Sequence, residues 1–214
     1  ALVVDIGSGD GTLLSGFKDL NFKTLGVEPT NIAKIANKAG IDTIQDFFNE
    51  KLAKEIVKNY GKAYVVTACN VFAHIAHLGE MIRGVDHLLS EDGLFIIESH
   101  YLLDIIEKIQ YDSIYHEHLK FYSLKSIIRL LDYYDFTVVD VKRIENYGGS
   151  IRIYAAKGKS SPIAESVKSL LIEEEESGLY NFSAYKGFIE RTIRAKHALQ
   201  ELALEAFSQR KKFI

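Results

Sequence analysis

The chain has 214 residues, 47% of them hydrophobic and 26% charged, which is the composition of an ordinary globular protein with room for a sizeable core. Its 26 Lys and Arg against 29 Asp and Glu leave a net charge of −3, which argues against nonspecific binding to nucleic acid or an anionic membrane. No apolar run approaches the ~20 residues that span a bilayer, and the single cysteine, Cys69, fits a reducing compartment, so a cytoplasmic protein is expected.

Short apolar runs alternate with amphipathic helical stretches along the first half of the chain. Strands are predicted near residues 2–6, 24–28, 63–69 and 93–98, with a weaker one at 41–44, and helices near 11–19, 31–39, 50–59 and 78–89. Two further strands are predicted at 136–145 and 150–157. The alternation predicts an α/β fold with a Rossmann-like, mostly parallel sheet of about seven strands.

After Pro162 the spacing of the apolar residues is typical of helices. The short polar stretch at residues 158–161 is the best boundary, so a core is predicted at 1–158 and a helical extension at 159–214. Helices are predicted at 163–176 and 183–212, and the acidic run 173–176 between them is predicted to be a solvated helix end.

A glycine-rich loop follows the first predicted strand. Gly7, Gly9 and Gly11 lie where the backbone can approach a small anionic or polar ligand at a helix N-terminus. A dinucleotide-binding fingerprint would need glycine at position 12, where the chain has Thr12. Asp5 adds a carboxylate beneath the loop, which suits an ammonium group better than a pyrophosphate. A cofactor that carries an amino acid is therefore favoured.

The ends of the second and third predicted strands carry side chains that suit an adenosine. Glu28 can accept hydrogen bonds from both ribose hydroxyls, although a plain strand-end carboxylate is the alternative. Asp46 offers an acceptor for an adenine amino group and Phe47 an aromatic wall; a helix N-cap followed by core phenylalanines is the alternative. The glycine loop with Asp5 and Glu28 resembles the class I S-adenosylmethionine-dependent methyltransferases, which makes S-adenosylmethionine the expected cofactor.

Tyrosines and histidines are concentrated between the fifth strand and a helix predicted near residues 124–133. This segment leaves the same edge of the sheet as the glycine loop, and the fourth strand delivers His74 to that edge. His74 and His118 are therefore expected within reach of each other. Because histidine titrates at about pH 6.5, a histidine here can act as a general base, with Glu117 or a tyrosine to orient it.

Two other interpretations of this cluster stay open. His116, Glu117 and His118 could be zinc ligands, but a structural site needs more protein ligands and no cysteine is near, so no metal is predicted. The histidines could also be structural residues, hydrogen-bonded within a buried loop. The remaining histidines are predicted to be surface or packing residues: His77, His87, His100 and His197.

Five segments carry a narrower resemblance. They are Val-Val-Asp-Ile-Gly at 3–7, Gly-Val-Glu-Pro at 26–29, Asn-Val-Phe-Ala-His at 70–74, Ile-Tyr-His-Glu-His at 114–118 and Gly-Gly-Ser-Ile-Arg at 148–152. In this order they resemble the deoxysugar C-methyltransferases, which methylate a ring carbon of nucleotide-linked keto-deoxysugars. The resemblance runs from about residue 2 to residue 157.

The resemblance implies a role for each matching residue. Gly7, Gly9, Glu28, Asp46 and Asn70 would hold the cofactor, and His74, Tyr115, Glu117 and His118 would face the sugar. His118 would remove a proton from the carbon beside the ketone, while His74 or Tyr115 would donate a hydrogen bond to the developing oxyanion. Spacing alone does not decide whether Tyr115 or His118 is the base. Glu117 would orient its neighbours or balance their charge.

The resemblance also implies further protein outside this chain. Members of the family carry a cysteine-rich zinc module before the glycine loop and a second α/β domain after the first, so the chain is expected to be a fragment that binds cofactor and turns over poorly. Three alternatives remain: an O- or N-methyltransferase, an NAD-dependent sugar oxidoreductase that Thr12 disfavours, and a noncatalytic cofactor-binding module.

Overall fold

The computed structural model describes residues 1–211, and they form one seven-stranded sheet with the order β3-β2-β1-β4-β5-β7-β6. The strands are β1 (Leu2–Ile6), β2 (Lys23–Val27), β3 (Thr43–Ile44), β4 (Ala63–Cys69), β5 (Leu89–His100), β6 (Phe136–Ile144) and β7 (Ser150–Lys157). Strands β1 to β5 are parallel, and β7 runs antiparallel to both β5 and β6. The predicted Rossmann-like α/β fold is confirmed.

Helices connect the strands and continue beyond the sheet. They are α1 (Thr12–Asp19), α2 (Ala33–Lys38), α3 (Glu50–Tyr60), α4 (Leu78–Leu88), α5 (Leu102–Glu107), α6 (Leu124–Tyr133), α7 (Glu165–Glu176) and α8 (Phe182–Ser208). Helix α5 lies where the sequence predicted only a loop, and the final residue of the helix predicted at 183–212 lies outside the described residues. No helix within residues 1–211 combines the length and the apolar character needed to cross a membrane. The division at residue 158 stays a prediction.

The sheet is covered on both faces, as expected for parallel strands. Every residue of β1 is buried, including its one charged residue, Asp5. Helices α3 and α4 present apolar side chains such as Ile56, Met81 and Ile82 to the main core. A smaller cluster, which includes Val3 and Leu14, packs under α1. Because these strands are parallel, the carboxyl ends of β1, β2, β4 and β5 lie at one edge of the sheet.

Strand β5 is longer than the sequence predicted, and the difference matters for the site. The prediction ended it at residue 98, but Ser99 pairs with Ile151 and His100 pairs with Ser150 on the antiparallel strand β7. This pairing partner lies about 50 residues away and its effect cannot be read from the local apolar pattern. The two added residues carry His100 to the same edge as the glycine loop.

The acidic run that ends α7 differs from its prediction at one residue. Glu173, Glu175 and Glu176 are exposed, but Glu174 is fully buried. Its carboxylate accepts hydrogen bonds from the backbone N–H groups of Leu124 at 2.5 Å and Lys125 at 3.2 Å, and from the Tyr180 hydroxyl. The prediction of a solvated helix end is wrong for Glu174, because this carboxylate caps the positive N-terminus of α6.

Candidate active site

A cleft of about 770 Å³ opens at the carboxyl ends of β1, β2 and β4. This volume is typical of small-molecule sites. Four of the predicted cofactor residues line it: Gly7, Glu28, Phe47 and Asn70. The rest of the wall is largely apolar, with Ile6, Val71 and Met81 among the contributors. The cleft therefore combines a broad apolar surface with a few fixed polar groups.

The Glu28 carboxylate is held at the end of β2 by backbone donors. Its Oε2 accepts a hydrogen bond from the Gly9 N–H at 3.1 Å, and its Oε1 accepts one from the Thr30 N–H at 2.9 Å. Only 7% of the residue is exposed. Because each carboxylate oxygen can accept two hydrogen bonds, both keep capacity for a ligand hydroxyl.

The Asp5 side chain does not line the cleft. It is buried within the sheet, where its Oδ1 accepts a hydrogen bond from the Thr67 hydroxyl of β4 at 2.5 Å. The pKa of Asp5 is raised to about 7: burial is the main cause, the Thr67 hydrogen bond partly opposes it, and the nearby charge of Glu28 adds a smaller increase. The structure thus turns this carboxylate toward β4 rather than toward a bound ammonium group.

Three other predicted cofactor residues also lie outside the lining of the cleft. Gly9 instead holds Glu28, as described above. Gly11 precedes α1 at φ +84°, and a Cβ there would come within 3.0 Å of the Ile41 side chain. Asp46 is exposed and accepts a hydrogen bond from the N–H of its neighbour Phe47. The alternative of a helix N-cap followed by core phenylalanines fails for Asp46 and Phe47, because Asn49 caps α3 and Phe47 is 73% exposed, although Phe48 does pack against the core.

Asn70 lies where the cleft meets a second cavity. It follows β4 with φ 55°, a left-handed conformation that is costly for a residue other than glycine. Its N–H donates to the Glu98 carbonyl at 2.8 Å, but its side-chain oxygen is buried without a hydrogen-bond partner among the described residues. Such an unpaired buried acceptor fits a position where a ligand supplies the missing donor.

The second cavity has a volume of about 400 Å³ and shares Asn70 and His74 with the cleft. Its lining is rich in imidazole and phenol groups: Asn70, His74, His100, Asp112, Ser113, Tyr115, His118 and Tyr147. Three of the four residues predicted to face the sugar are therefore brought together here. We call this space the histidine cavity.

The predicted pair of histidines meets in this cavity. The ring centres of His74 and His118 are 5.0 Å apart, and the Tyr115 ring centre is 4.4 Å from that of His118. His118 Nδ1 lies 2.7 Å from the Ser113 carbonyl oxygen. Since a carbonyl oxygen can only accept a hydrogen bond, Nδ1 is the donor in this contact, which leaves Nε2 as the ring atom that can accept a proton.

Sequence reasoning missed four residues of the histidine cavity: His100, Asp112, Ser113 and Tyr147. The prediction that His100 is a surface or packing residue is wrong, because its half-buried ring lines the cavity 5.0 Å from His118 and 5.8 Å from Tyr147, measured between ring centres. Burial lowers the pKa of His100, and so do the neighbouring imidazoles of His118 and His74. The polar end of β5, Glu98-Ser99-His100, was the signal in the sequence that could have found it.

Two residues of the Tyr-His-Glu-His segment lie outside both the cleft and the histidine cavity. His116 and Glu117 are exposed, and neither lines the cleft or the histidine cavity. His77, predicted to be a surface residue, is exposed and also lines the rim of the cleft. Across residues 1–211 the structure contains no group of three or more His, Cys, Asp and Glu side chains that could hold a metal ion.

The sheet order and the position of the cleft define a class I methyltransferase fold. An S-adenosylmethionine-dependent methyltransferase from Archaeoglobus fulgidus matches with a TM-score of 0.59 at 15% identity, over 73% of this chain and 86% of its own. The plantazolicin methyltransferase BpumL, solved with S-adenosylhomocysteine, matches with a TM-score of 0.56 at 16% identity, over 74% of this chain and 77% of its own. At these identities the likeness concerns the fold.

Sequence comparison shows the family. Residues 1–141 match the family model of a methyltransferase domain, and residues 145–214 match that of a C-methyltransferase C-terminal domain. The chain belongs to this methyltransferase family, whose methyl donor is S-adenosylmethionine. It is 36% identical over 203 residues to the C-methyltransferase NovU of Streptomyces niveus, a match that covers 94% of this chain and 48% of NovU. The chain thus spans about half the length of that relative.

Proposed function

We propose that this chain is the catalytic domain of a C-methyltransferase that acts on a nucleotide-linked keto-deoxysugar. The observation that carries the proposal is the 2.7 Å contact of His118 Nδ1 with the Ser113 carbonyl oxygen, which leaves Nε2 as the acceptor of a ring that lines the cavity beside the cofactor cleft. An imidazole in this state can accept a proton from a carbon acid. Methylation of carbon needs such a base, since carbon bound to hydrogen has no lone pair with which to attack.

The histidine cavity supplies the groups that this reaction needs. We assign His118 Nε2 as the acceptor of the proton on the carbon beside the ketone, while the electrons of that C–H bond move to the ketone oxygen. His74 or Tyr115 donates a hydrogen bond to this developing oxyanion, a contribution of roughly 3 kcal/mol per donor. The enolate carbon would then form a bond to the methyl group while the methyl–sulfur bond breaks, and S-adenosylhomocysteine would leave as a neutral thioether. The role predicted for Glu117 stays a prediction, because its exposed side chain lies outside the cavity.

The cleft residues fit the cofactor. S-adenosylmethionine supplies an electrophilic methyl group on a sulfonium. We assign Glu28 to the ribose hydroxyls, since each of its oxygens can accept another hydrogen bond. Phe47 provides an aromatic surface for adenine, and the unpaired Asn70 oxygen can accept a hydrogen bond from the ligand. Asn70 and His74 line both spaces, which supports a methyl donor bound next to the base.

The comparisons support carbon as the site of methylation. The C-terminal family model and NovU both carry the description C-methyltransferase. An O- or N-methyltransferase does not need a base that removes a proton from carbon, because its substrate heteroatom is already nucleophilic. A cluster of three imidazoles would be surplus in such an enzyme. The assignment of a nucleotide-linked sugar as the substrate rests on the resemblance of the five sequence segments to the deoxysugar C-methyltransferases.

Transfer of a carbon-13 methyl group tests the proposal. The protein is incubated with carbon-13-methyl S-adenosylmethionine and a panel of nucleotide-linked keto-deoxysugars, and the product is examined by NMR. We expect a methyl signal coupled to ring carbon, lost in His118→Asn and retained in His197→Asn, a change of an exposed histidine on α8. A product methylated on oxygen or nitrogen would contradict the proposal.

A further inference from the structure

His100 presents unused hydrogen-bonding capacity to the histidine cavity. It is the last residue of β5, and its pairing with Ser150 of β7 fixes its backbone. Within residues 1–211 neither of its ring nitrogens has a hydrogen-bond partner, although the ring is half-buried. A half-buried polar group without a protein partner at a cavity wall is a position for a ligand contact.

The environment of His100 keeps its ring neutral at neutral pH. Burial and the two nearby imidazoles, those of His118 and His74, lower the pKa of His100 below its usual value. The other ionisable groups that line the cavity are Asp112, Tyr115 and Tyr147. A neutral imidazole offers one N–H donor and one nitrogen acceptor, and a hydroxyl group is its natural partner because it can both accept and donate.

Tyr147 stands beside His100 on a loop whose conformation is fixed. Its backbone is left-handed, with φ 52° and ψ 35°, and its side chain is 69% exposed. The carbonyl of the next residue, Gly148, accepts hydrogen bonds of 2.7 Å from both Lys108 and Gln110. Backbone strain of this kind persists only where surrounding contacts impose it.

The neighbouring glycine shows how closely this loop is packed. Gly149 adopts φ +143°, and a Cβ there would lie 2.3 Å from Cγ of the buried Asp104. Asp104 is itself held by Arg143, whose Nε and Nη2 donate at 3.0 and 2.9 Å. The loop is therefore seated against a fixed ion pair, and the Tyr147 ring lies edge-to-face with His100 in the lining of the cavity.

We propose that His100 and Tyr147 are the specificity-determining pair for the sugar ring. His100 hydrogen-bonds one ring hydroxyl of the substrate, and Tyr147 covers an apolar face of the same ring. Aromatic side chains with an exposed face and a polar neighbour suit a group that is apolar on one side and polar at its edge. This inference rests on the proposed function, because it takes the substrate of the histidine cavity to be a sugar.

Calorimetric titration tests the hydrogen bond of His100. The 214-residue chain, saturated with S-adenosylhomocysteine, is titrated with thymidine-diphosphate-4-keto-6-deoxyglucose and with its 2-deoxy and 3-deoxy analogues. His100→Ala should weaken binding of the parent sugar about tenfold, and should have no effect with the analogue that lacks the recognised hydroxyl. His100→Gln retains a donor and an acceptor and should recover most of the affinity. The control His197→Ala should match the wild type.

The role of Tyr147 is tested with the same titration. Tyr147→Phe keeps the ring and should bind the parent sugar as the wild type does, whereas Tyr147→Ala should weaken binding about fivefold or more. Tyr133→Ala, a change of an exposed tyrosine on α6, is the matched control. Affinity for S-adenosylhomocysteine, measured first, shows that each variant is folded.

The outcomes separate this inference from the proposed function. Wild-type protein that binds the parent sugar while His100→Ala binds it equally well overturns the inference alone. The inference also fails if the affinity of His100→Ala falls by the same factor for all three sugars, since the loss of affinity is then unrelated to a hydroxyl. Wild-type protein that binds none of these sugars and transfers no methyl group to any member of the panel of nucleotide-linked keto-deoxysugars overturns the proposed function, and the inference with it.

Discussion

One hydrogen bond determines which nitrogen of His118 can act as a base. The Ser113 carbonyl accepts from Nδ1, which leaves Nε2 as the acceptor. The sequence predicted that His118 and His74 would lie near each other, because both follow strands that end at one sheet edge. It did not predict the tautomer, since Ser113 reaches His118 only through the turn of the loop between them.

The side-chain directions of the acidic residues were the hardest part of the site to predict. Asp5 and Glu28 both lie at strand ends beside the glycine loop, yet Glu28 lines the cleft and Asp5 is buried against Thr67. A parallel strand that is covered on both faces lacks the polar–apolar alternation that would show which way each residue points. Asp46 was misplaced for a similar reason, because local sequence does not fix the path of a connecting loop.

At the residue scale, Glu28→Gln tests the cofactor cleft. The change removes a charged acceptor that we assign to the ribose, so the dissociation constant for S-adenosylmethionine should rise tenfold or more in calorimetry. Glu55→Gln, on the exposed side of α3, is the matched control and should leave affinity unchanged. An unaltered dissociation constant in Glu28→Gln would reject the ribose assignment.

Asp5 should make the stability of the fold depend on pH. Its folded-state pKa of about 7 lies above the ordinary value of 3.8, so the folded protein holds this proton more tightly than the unfolded chain does. The resulting stabilisation is complete below about pH 4 and is lost as the pH rises to about 7.

The variant Asp5→Asn removes this titration and can still pair with Thr67. Between pH 4 and pH 8 the wild type should lose on the order of 2–4 kcal/mol of unfolding free energy relative to the variant, as measured with urea. Asp19→Asn, at the exposed end of α1, is the control, and its free energy of unfolding should depend on pH as that of the wild type does. If the curves of unfolding free energy against pH are parallel for Asp5→Asn and the wild type, the pKa of the Asp5 carboxyl is not raised by folding.

At the scale of elements, the spacing of apolar residues located most helices and strands. It missed the features that depend on residues far away in the sequence. Strands such as β1 and β4 were placed to the residue, because short apolar runs between turn signals define them. Helix α5 has six residues, too few for a helical period to show. The end of β5 and the burial of Glu174 depend on β7 and α6, which are remote in sequence.

Glu174 joins the helices that follow the sheet to α6. Glu174→Ala leaves two backbone N–H groups at the start of α6 and the Tyr180 hydroxyl without this acceptor, so the free energy of unfolding should fall by about 2–3 kcal/mol. Glu176→Ala, exposed on the same helix, should change it by no more than about 0.5 kcal/mol. Equal effects in the two variants would mean that the cap contributes little.

At the scale of the whole molecule, the cleft should distinguish two adenosine cofactors. A ligand that binds only the folded state at a concentration of 100 times its dissociation constant adds about 2.7 kcal/mol of stability. S-adenosylmethionine should therefore raise the thermal midpoint by several degrees, and NAD should leave it unchanged. Stabilisation by NAD instead would contradict the assignment of the cleft.

The central claim is that imidazoles from two loops meet beside the cofactor cleft and ionise a carbon acid. Hydrogen exchange in heavy water measures this step directly, because the chain loaded with S-adenosylhomocysteine cannot transfer a methyl group. We expect deuterium to enter the sugar carbon beside the ketone with wild-type protein and not with His118→Asn. Exchange that continues undiminished in His118→Asn would show that another group is the base and would contradict the account.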